Sequence, residues 1–441
     1  MNSKSEQKRI TFKSALRALN SRNFRLFFIG QSISLIGTWM QRVALGWLVY
    51  RLTDSAFLLG LVGFAGQLPA FLFAPIAGVL VDRLDRHRLL LYTQVAAMAQ
   101  ALSLAILILI DQIAIWHIMV LSILLGFINT LDLTVRQSFM IQMIDRKEDL
   151  SNAIALNSSM VNGARMIGPS LAGILITWVG EGICFLINGI SYIAVIAALL
   201  MMQLQASPIP NRSSRLFHDL AEGFRYVSGF APIRAILLLL SLVSLMGMSY
   251  VVLMPVFARD ILQGGPLLFG NLMTAAGIGA LIGALSLAFR QNVLGLGKWI
   301  GGAAGMMGIG LILTALSREI WLSIMLITMV GFAMMVQMAA SNTILQTIVD
   351  EEKRGRVMSF YTMALIGMAP FGSLLAGALA AKFSAPNALI IGGLCCIIGA
   401  IVFSIRLPAL RMMVRPIYEK LGIIPNIASA IHPKATSIRS E

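Results

Sequence analysis

Long apolar runs dominate this chain and leave it few ways to fold. Segments of roughly 20 apolar residues, the length that crosses a ~30 Å hydrocarbon core as a helix, recur near 25–50, 57–81, 89–110, 115–136, 153–178 and 183–203. A second group follows near 233–257, 267–289, 299–316, 321–348, 357–381 and 387–405. Backbone N–H and C=O groups find no partners in lipid, so such segments become helices. The expected fold is an all-α polytopic membrane protein of twelve transmembrane helices in two sets of six. Composition agrees, with 12% charged and 58% hydrophobic residues, where a soluble domain carries about 25% charged. A soluble enzyme, a disordered basic tail and a nucleic-acid binder are excluded, despite a formal charge of +15.

The allocation of basic residues gives the orientation, because cytoplasmic loops hold the excess of Lys and Arg. Of the 34 Lys and Arg, 28 fall in alternate segments beginning with the N-terminus. The opposite segments hold only Arg51, Arg259, Arg318 and Lys382, while Arg42 and Arg165 lie inside spans. Both termini are therefore expected in the cytoplasm. Met1 to Arg22 is polar and basic, without a signal-peptide apolar core, so the spans themselves must direct insertion.

The longest polar stretch inside the chain, Gln203 to Pro232, separates the two sets. Leu216, Phe217, Leu220, Phe224 and Val227 recur there at helical spacing, which predicts an amphipathic helix on the membrane surface. Five regions follow: a basic N-terminus at 1–24, a bundle at 25–203, a linker at 204–232, a second bundle at 233–406 and a cytoplasmic tail at 407–441. The halves also repeat. Ile141–Leu175 and Leu345–Leu379 align without a gap at an offset of 204, with nine of 35 positions identical. An offset of six spans preserves orientation, so the bundles are parallel repeats about an axis along the membrane normal. Two such bundles can rock about a site between them, which is a transport architecture. Arg165 and Pro169 are special to the first half, where the second has Ala369 and Ser373.

Between spans two and three stands Gly78-Val-Leu-Val-Asp82-Arg83-Leu-Asp85-Arg86-His87-Arg88. It resembles the loop G-x-L-x-D-R-x-x-R-[RK] of the major facilitator superfamily. The resemblance implies that Asp82 sits against the N-terminal end of the eleventh span, where the helix dipole and free N–H groups favour a carboxylate. It also implies that Gly78, Asp82, Arg83, Arg86 and Arg88 form a conformational latch; read alone, the same cations are a topology signal. Span five reads Asn162-Gly163-Ala-Arg165-Met-Ile-Gly168-Pro169-Ser-Leu-Ala-Gly173, similar to the G-x(4)-G-P-x(3)-G signature of the superfamily's drug and metabolite antiporters. Gly163, Gly168 and Gly173 let helices approach closely, and Pro169 loosens the backbone. Segments such as N-F-R-L-F-F-I-G-Q at 23–31, W-L-V-Y-R-L-T-D-S-A at 47–56 and S-N-A-I-A-L-N-S-S at 151–159 resemble the branch of enterobactin and macrolide exporters. From about Leu19 to Leu407 the resemblance implies efflux and leaves the cargo open; a bacterial inner membrane and antiport with protons are the expected setting and coupling.

Charge inside spans is rare and informative. Arg165 lies near the middle of span five, and Arg42 lies in span one beside Gln41, with Thr38 and Gln31 on earlier turns. Two cations facing the bundle interface favour an anionic or carbonyl-rich small molecule, such as a catecholate or hydroxamate siderophore. The packing alternative has Arg165 binding amides or carbonyls of span one. Gln337, Ser341 and Asn342 share a face of span ten and are expected to complete the cavity, with Ser241, Ser244 and Tyr250 on span seven. Met334, Met335 and Met338 would supply a pliable apolar wall. Asp132 is the carboxylate most clearly inside an apolar segment. It precedes Arg136 by one turn and is expected to pair with it, near Arg83 or Arg86. It would serve either a charge network that changes through the cycle or proton coupling.

No catalytic or metal site is expected. His87, His117, His218 and His432 are scattered, and Cys184, Cys395 and Cys396 lack metal-ligand spacing. Neither H-E-x-x-H nor a phosphate-binding G-x-x-x-x-G-K-[ST] occurs. The expected partners are a small-molecule substrate, the bilayer and protons, with no cofactor and no nucleic acid, and the protein is expected to be a monomer. A lysophospholipid or lipid flippase on the same fold is the alternative within transport, and a membrane-embedded enzyme is the remaining class.

Overall fold

The computed structural model describes residues 16–203, 216–290 and 292–424. Six long helices form the first half: α1 (Arg22–Thr53), α2 (Ala56–Arg83), α3 (Arg86–Leu109), α4 (Ile115–Phe139), α5 (Leu150–Val179) and α6 (Glu181–Leu200). A short helix, α7 (Leu216–Gly229), leads into the second half. That half holds α8 (Ala231–Ile261), α9 (Pro266–Ala288), α10 (Leu296–Leu316), α11 (Ile320–Ile348), α12 (Glu351–Phe383) and α13 (Ala385–Lys420). Ten of these are apolar and long enough to cross a membrane. The two long helices that fall short are α1 and α5, which carry Gln31, Gln41 and Arg42, and Asn157, Asn162 and Arg165, within their apolar stretches.

Tight connections fix the antiparallel order. Asp54 takes the left-handed conformation (φ 48°) between α1 and α2, and the Ser55 hydroxyl then accepts the Leu58 N–H at 3.3 Å as the α2 N-cap. Asp85 caps α3 in the same way, accepting the Arg88 N–H at 3.0 Å. Gly180, at φ 82°, supplies the positive angle that joins α5 to α6.

The halves meet along two seams, α2 against α12 and α5 against α9. Under the repeat, α2 corresponds to α9 and α5 to α12, so the seams are one contact formed twice. The second half is less regular than the first. Single π-turns interrupt α8 at Val243–Gly247 and Phe257–Ile261, and α12 at Met363–Gly367. Pro255 and Pro370 lie beside two of them; a proline removes one N–H from the ladder, and a wider turn accommodates the loss.

One boundary differs from the sequence expectation. Residues 407–420 continue α13 through Pro408 and Pro416 rather than beginning a separate tail. The Arg415–Glu419 pair at 2.9 Å supports that last stretch at i, i+4 spacing. The linker helix rests on protein: Glu222 pairs with Arg356 at 2.8 Å, and the Lys353 ammonium sits 4.6 Å from the Tyr226 ring centroid. Phe224 stays exposed, while the side chains of Leu216, Phe217 and Leu220 lie outside the described residues.

Candidate functional site

At the end of the molecule marked by Asp54, polar contacts join the halves. The Tyr50 hydroxyl on α1 donates to the Asp260 carboxylate on α8, and the Arg259 guanidinium donates to the Asp54 carboxylate. Arg259 also lies 5.5 Å from the Tyr50 ring centroid. A pocket of about 430 Å³ beside these pairs is lined by Tyr50, Asp54, Asp260 and Ser384. From here the seams run inward with little room. A Cβ on Gly60 would lie 2.6 Å from the Ser373 carbonyl oxygen, and one on Gly173 would lie 3.0 Å from that of Pro266. Hydroxyls of Ser170 and Thr274 meet at 2.7 Å, and Gln67 Nε2 donates to Ser373 Oγ at 3.3 Å. Phe71 packs edge-on against Phe371 at 5.2 Å. Past that point α2 exposes Leu72, Ile76 and Leu80, and Gly78 and Gly163 face open space. The close contacts along the α2–α12 seam thus lie toward the Asp54 end.

Where the seams end, two arginines share one aromatic ring. The Arg42 guanidinium carbon is 4.7 Å from the Trp39 ring centroid, and that of Arg165 is 5.6 Å. Trp39 and Arg42 stand at i and i+3 on α1, the spacing that puts two side chains on one face. Gly168 brings α5 close enough for Arg165 to reach: a Cβ there would lie 2.6 Å from the Trp39 Cβ. Neither arginine has a carboxylate partner among the described residues. Arg165 has the Met334 sulfur at 4.0 Å instead. The indole replaces the span-one amides or carbonyls considered as its partners. Arg42 is exposed and Arg165 partly buried, so positive charge without a carboxylate partner among the described residues gathers around Trp39.

On the opposite wall, α11 carries Gln337 and Ser341, only 1% and 0% exposed. The Gln337 Nε2, the Ser341 hydroxyl and the Tyr250 hydroxyl are buried with no hydrogen-bond partner in the protein. Such groups cost about 1–3 kcal/mol each when left unpaired, and their burial closes them off in this arrangement. Asn342 is already engaged by Gln346 Nε2 at 2.7 Å. Gln31 is buried, with its Oε1 unpartnered.

Gln41 points away from the arginines. Its Nε2 donates to Gln100 Oε1 at 3.0 Å, and its Oε1 accepts from Asn188 Nδ2 at 2.5 Å. This chain of amides ties α1, α3 and α6 together. Thr38 lies beside it, 3.4 Å from the Tyr192 hydroxyl. Asp132 is 7% exposed and pairs with Arg136. Its further partners are not Arg83 or Arg86 of the neighbouring loop. They are Gln94 Nε2 at 2.5 Å and Thr93 Oγ1 at 3.3 Å, both donated from α3. The reason is register: α3 packs beside α4 and presents these groups at the depth of Asp132.

In the loop between α2 and α3, the Asp82 side chain lies outside the described residues. Arg83 and Arg88 are exposed, and the His87 Nε2 lies 2.8 Å from the Leu199 carbonyl oxygen. Sequence reasoning missed Trp39, although its i, i+3 relation to Arg42 was visible. It also missed Tyr50, Asp54, Arg259 and Asp260, whose pairings span more than 200 residues and carry no local signal.

Known proteins of similar fold or sequence give this geometry a context. The staphyloferrin A transporter of Staphylococcus aureus (strain NCTC 8325 / PS 47) is 27% identical over 380 residues, covering 86% of this chain and 95% of that protein. The multidrug efflux pump Tap of Mycolicibacterium fortuitum is 26% identical over 354 residues, covering 78% and 86%. Macrolide efflux protein A of Streptococcus pyogenes is 22% identical over 384 residues, covering 86% and 94%. Among solved structures, a bacterial homologue of the human lysosomal transporter Spinster, in an inward-facing and unoccupied conformation, has a TM-score of 0.67 at 12% identity. That match covers 90% of this chain and 98% of the other and shows the fold alone. The sequence profile of the transmembrane secretion effectors matches residues 13–419, and the chain therefore belongs to that family, a branch of the major facilitator superfamily of transporters.

Proposed function

We propose that this chain, a multi-pass membrane transporter by family, exports a small organic anion by alternating access. The observation that carries the reading is the pair of guanidinium groups on Trp39, uncompensated by any carboxylate among the described residues. Cationic groups in a low-dielectric setting hold a bound anion far more strongly than they would in water. The unpartnered Tyr250, Gln337 and Ser341 groups are buried in this arrangement and would meet oxygens of the same molecule after the helices around them move. Relatives named for staphyloferrin A, for macrolides and for multiple drugs support efflux of organic molecules of this size.

In this reading the basic loops face the cytoplasm, so the Asp54 end is external and the arrangement described above is open inward, ready to load. The Asp82 loop acts as the latch that closes the cytoplasmic side in the opposite state. Protons are the counter-ion, and the transporter works as a monomer. Asp132, held by Arg136, Gln94 and Thr93, fixes α3 against α4. Asp260 sits at the external seal, where its bond with Tyr50 helps hold the two halves together.

Uptake into everted membrane vesicles with an imposed pH gradient tests the proposal, using catecholate and hydroxamate siderophores, macrolides and lysophospholipids in parallel. Gradient-driven uptake of an anionic siderophore, lost in Arg42→Ala/Arg165→Ala, is the expected result. Undiminished uptake in that variant would remove the anion site. Uptake that ignores the gradient would remove antiport, and movement of lysophospholipid alone would favour a flippase.

A further inference from the structure

A second pocket, of about 680 Å³, opens far from the arginine pair, where α8, α11, α13 and the α9–α10 connection come together. Its interior is apolar, formed by Ile236, Ile344, Phe403 and Leu410, and its rim carries Lys298, Arg411 and Arg415. Lys298 and Arg411 are exposed and make no ion pair among the described residues; Arg415 is held by Glu419 at 2.9 Å. An apolar cleft with a cationic mouth fits a molecule with a hydrocarbon tail and an anionic head.

The depth of the pocket narrows the occupant. Helix α13 begins at Ala385, and at 1.5 Å per residue its first twenty residues cover a hydrocarbon core of about 30 Å. Ile405, 73% exposed, falls at the far edge of that core, and Arg406 is the first charge after it. Arg411 then lies about 9 Å further along the axis, at the outer edge of the headgroups, and Arg415 about 15 Å, beyond them. On the same stretch Met412 and Met413 are exposed among cations, the pattern of a helix in the membrane interface. The chain's own last residues, 425–441, contain Lys434 and Arg439 against Glu441 alone, so like charge disfavours them as occupants.

We propose that this pocket binds an anionic phospholipid, with its phosphate between Lys298 and Arg411 and an acyl chain against Ile236, Ile344 and Phe403. The leaflet is the cytoplasmic one if the orientation proposed above holds; the site itself does not depend on the cargo or on the coupling ion. Because α8 and α13 belong to one half, a lipid wedged between them would stiffen that half without bridging the moving seams. Its effect is therefore on stability and not on the rocking motion itself.

The test uses the full-length protein in detergent, titrated with phosphatidylglycerol, phosphatidylcholine or soluble glycerol phosphate, and read by native mass spectrometry and melting temperature. Phosphatidylglycerol should be retained and should raise the melting temperature, and the other two should not. In Lys298→Gln/Arg411→Gln its retention should fall on the order of tenfold or more, since interfacial cations attract anionic lipid. The unmodified protein guards against a variant that fails to fold, because the lipid comparison needs no substitution. Equal retention of phosphatidylcholine, competition by glycerol phosphate, or undiminished retention in the double variant would each overturn the proposal.

Discussion

Gly60 and Gly377 stand face to face across the seam between α2 and α12, so that a Cβ on either would lie 2.8 Å from the Cα of the other. Gly173 and Gly270 form the matching contact between α5 and α9. The two halves close at one end because these four positions carry no side chain. Small residues let helix backbones approach this closely, and dispersion then rewards the contact.

Gly377→Leu should therefore wedge open the Asp54 end. The bulk added there meets the backbone of Ala56 and Gly60, which cannot swing away as a flexible side chain would. The expected outcome is loss of transport together with faster labelling of a Ser384→Cys reporter from the Asp54 side. Wild-type labelling rates in the variant would show that the seam does not govern closure.

The polar contacts beside that seam contribute less. Arg259 and Asp54 are both substantially exposed, and exposed ion pairs stabilise by about 0.2–1 kcal/mol. Asp54→Asn alone is expected to shift the balance of open and closed forms about fivefold or less, as 1 kcal/mol allows. Tyr50→Phe/Asp54→Asn removes both links and should shift it further. The same cysteine reporter measures this, and an effect of Asp54→Asn as large as that of Gly377→Leu would reverse the ranking.

Arg165 should tolerate lysine poorly. Its planar guanidinium lies over the Trp39 ring, and such contacts contribute about 0.5–2 kcal/mol, more when water is excluded. A lysine ammonium is a strongly hydrated point charge that neither stacks nor forms a bidentate pair. Anion binding should weaken by about tenfold in Arg165→Lys and by more in Arg165→Ala, each tenfold being about 1.4 kcal/mol. Trp39→Leu should reproduce much of the loss with both charges intact. Binding to purified protein, followed by fluorescence or calorimetry, gives the comparison, and full affinity in Trp39→Leu would reduce the indole to packing.

Much of the fold was readable because lipid imposes one rule on every span. Apolar length marked the helices, and the glycines at offset 204 marked the halves as copies. The pairing partners were less readable. Asp132 and Arg136 are four residues apart on one helix, so helical periodicity brings them together. Gln41 meets Gln100 and Asn188 only because α1, α3 and α6 pack with a register that no local pattern encodes. Tyr50 and Asp260 likewise meet only because the last turn of α1 and the π-turn at the end of α8 face each other across the repeat axis. A sequence shows which residues are out of place in a membrane, and packing decides which of them compensate one another.

Asp132 offers the sharpest test of that compensation. The carboxylate and Arg136 are both largely shielded, with side-chain exposures of 10% and 15%. Removing one partner of a buried pair leaves an uncompensated charge and costs about 3–5 kcal/mol. Asp132→Asn should therefore lower the melting temperature markedly, since Arg136 loses its counter-charge while Gln94 and Thr93 keep an acceptor. Replacing both as Asp132→Asn/Arg136→Gln removes the stranded charge and should recover most of the loss, because two neutral amides can bond each other at i, i+4 spacing. If Asp132 only holds α3 to α4, the double variant should also regain transport. A double variant that folds at the wild-type temperature but moves no cargo along a pH gradient would instead assign the proton-carrying role to Asp132, against the structural role argued here.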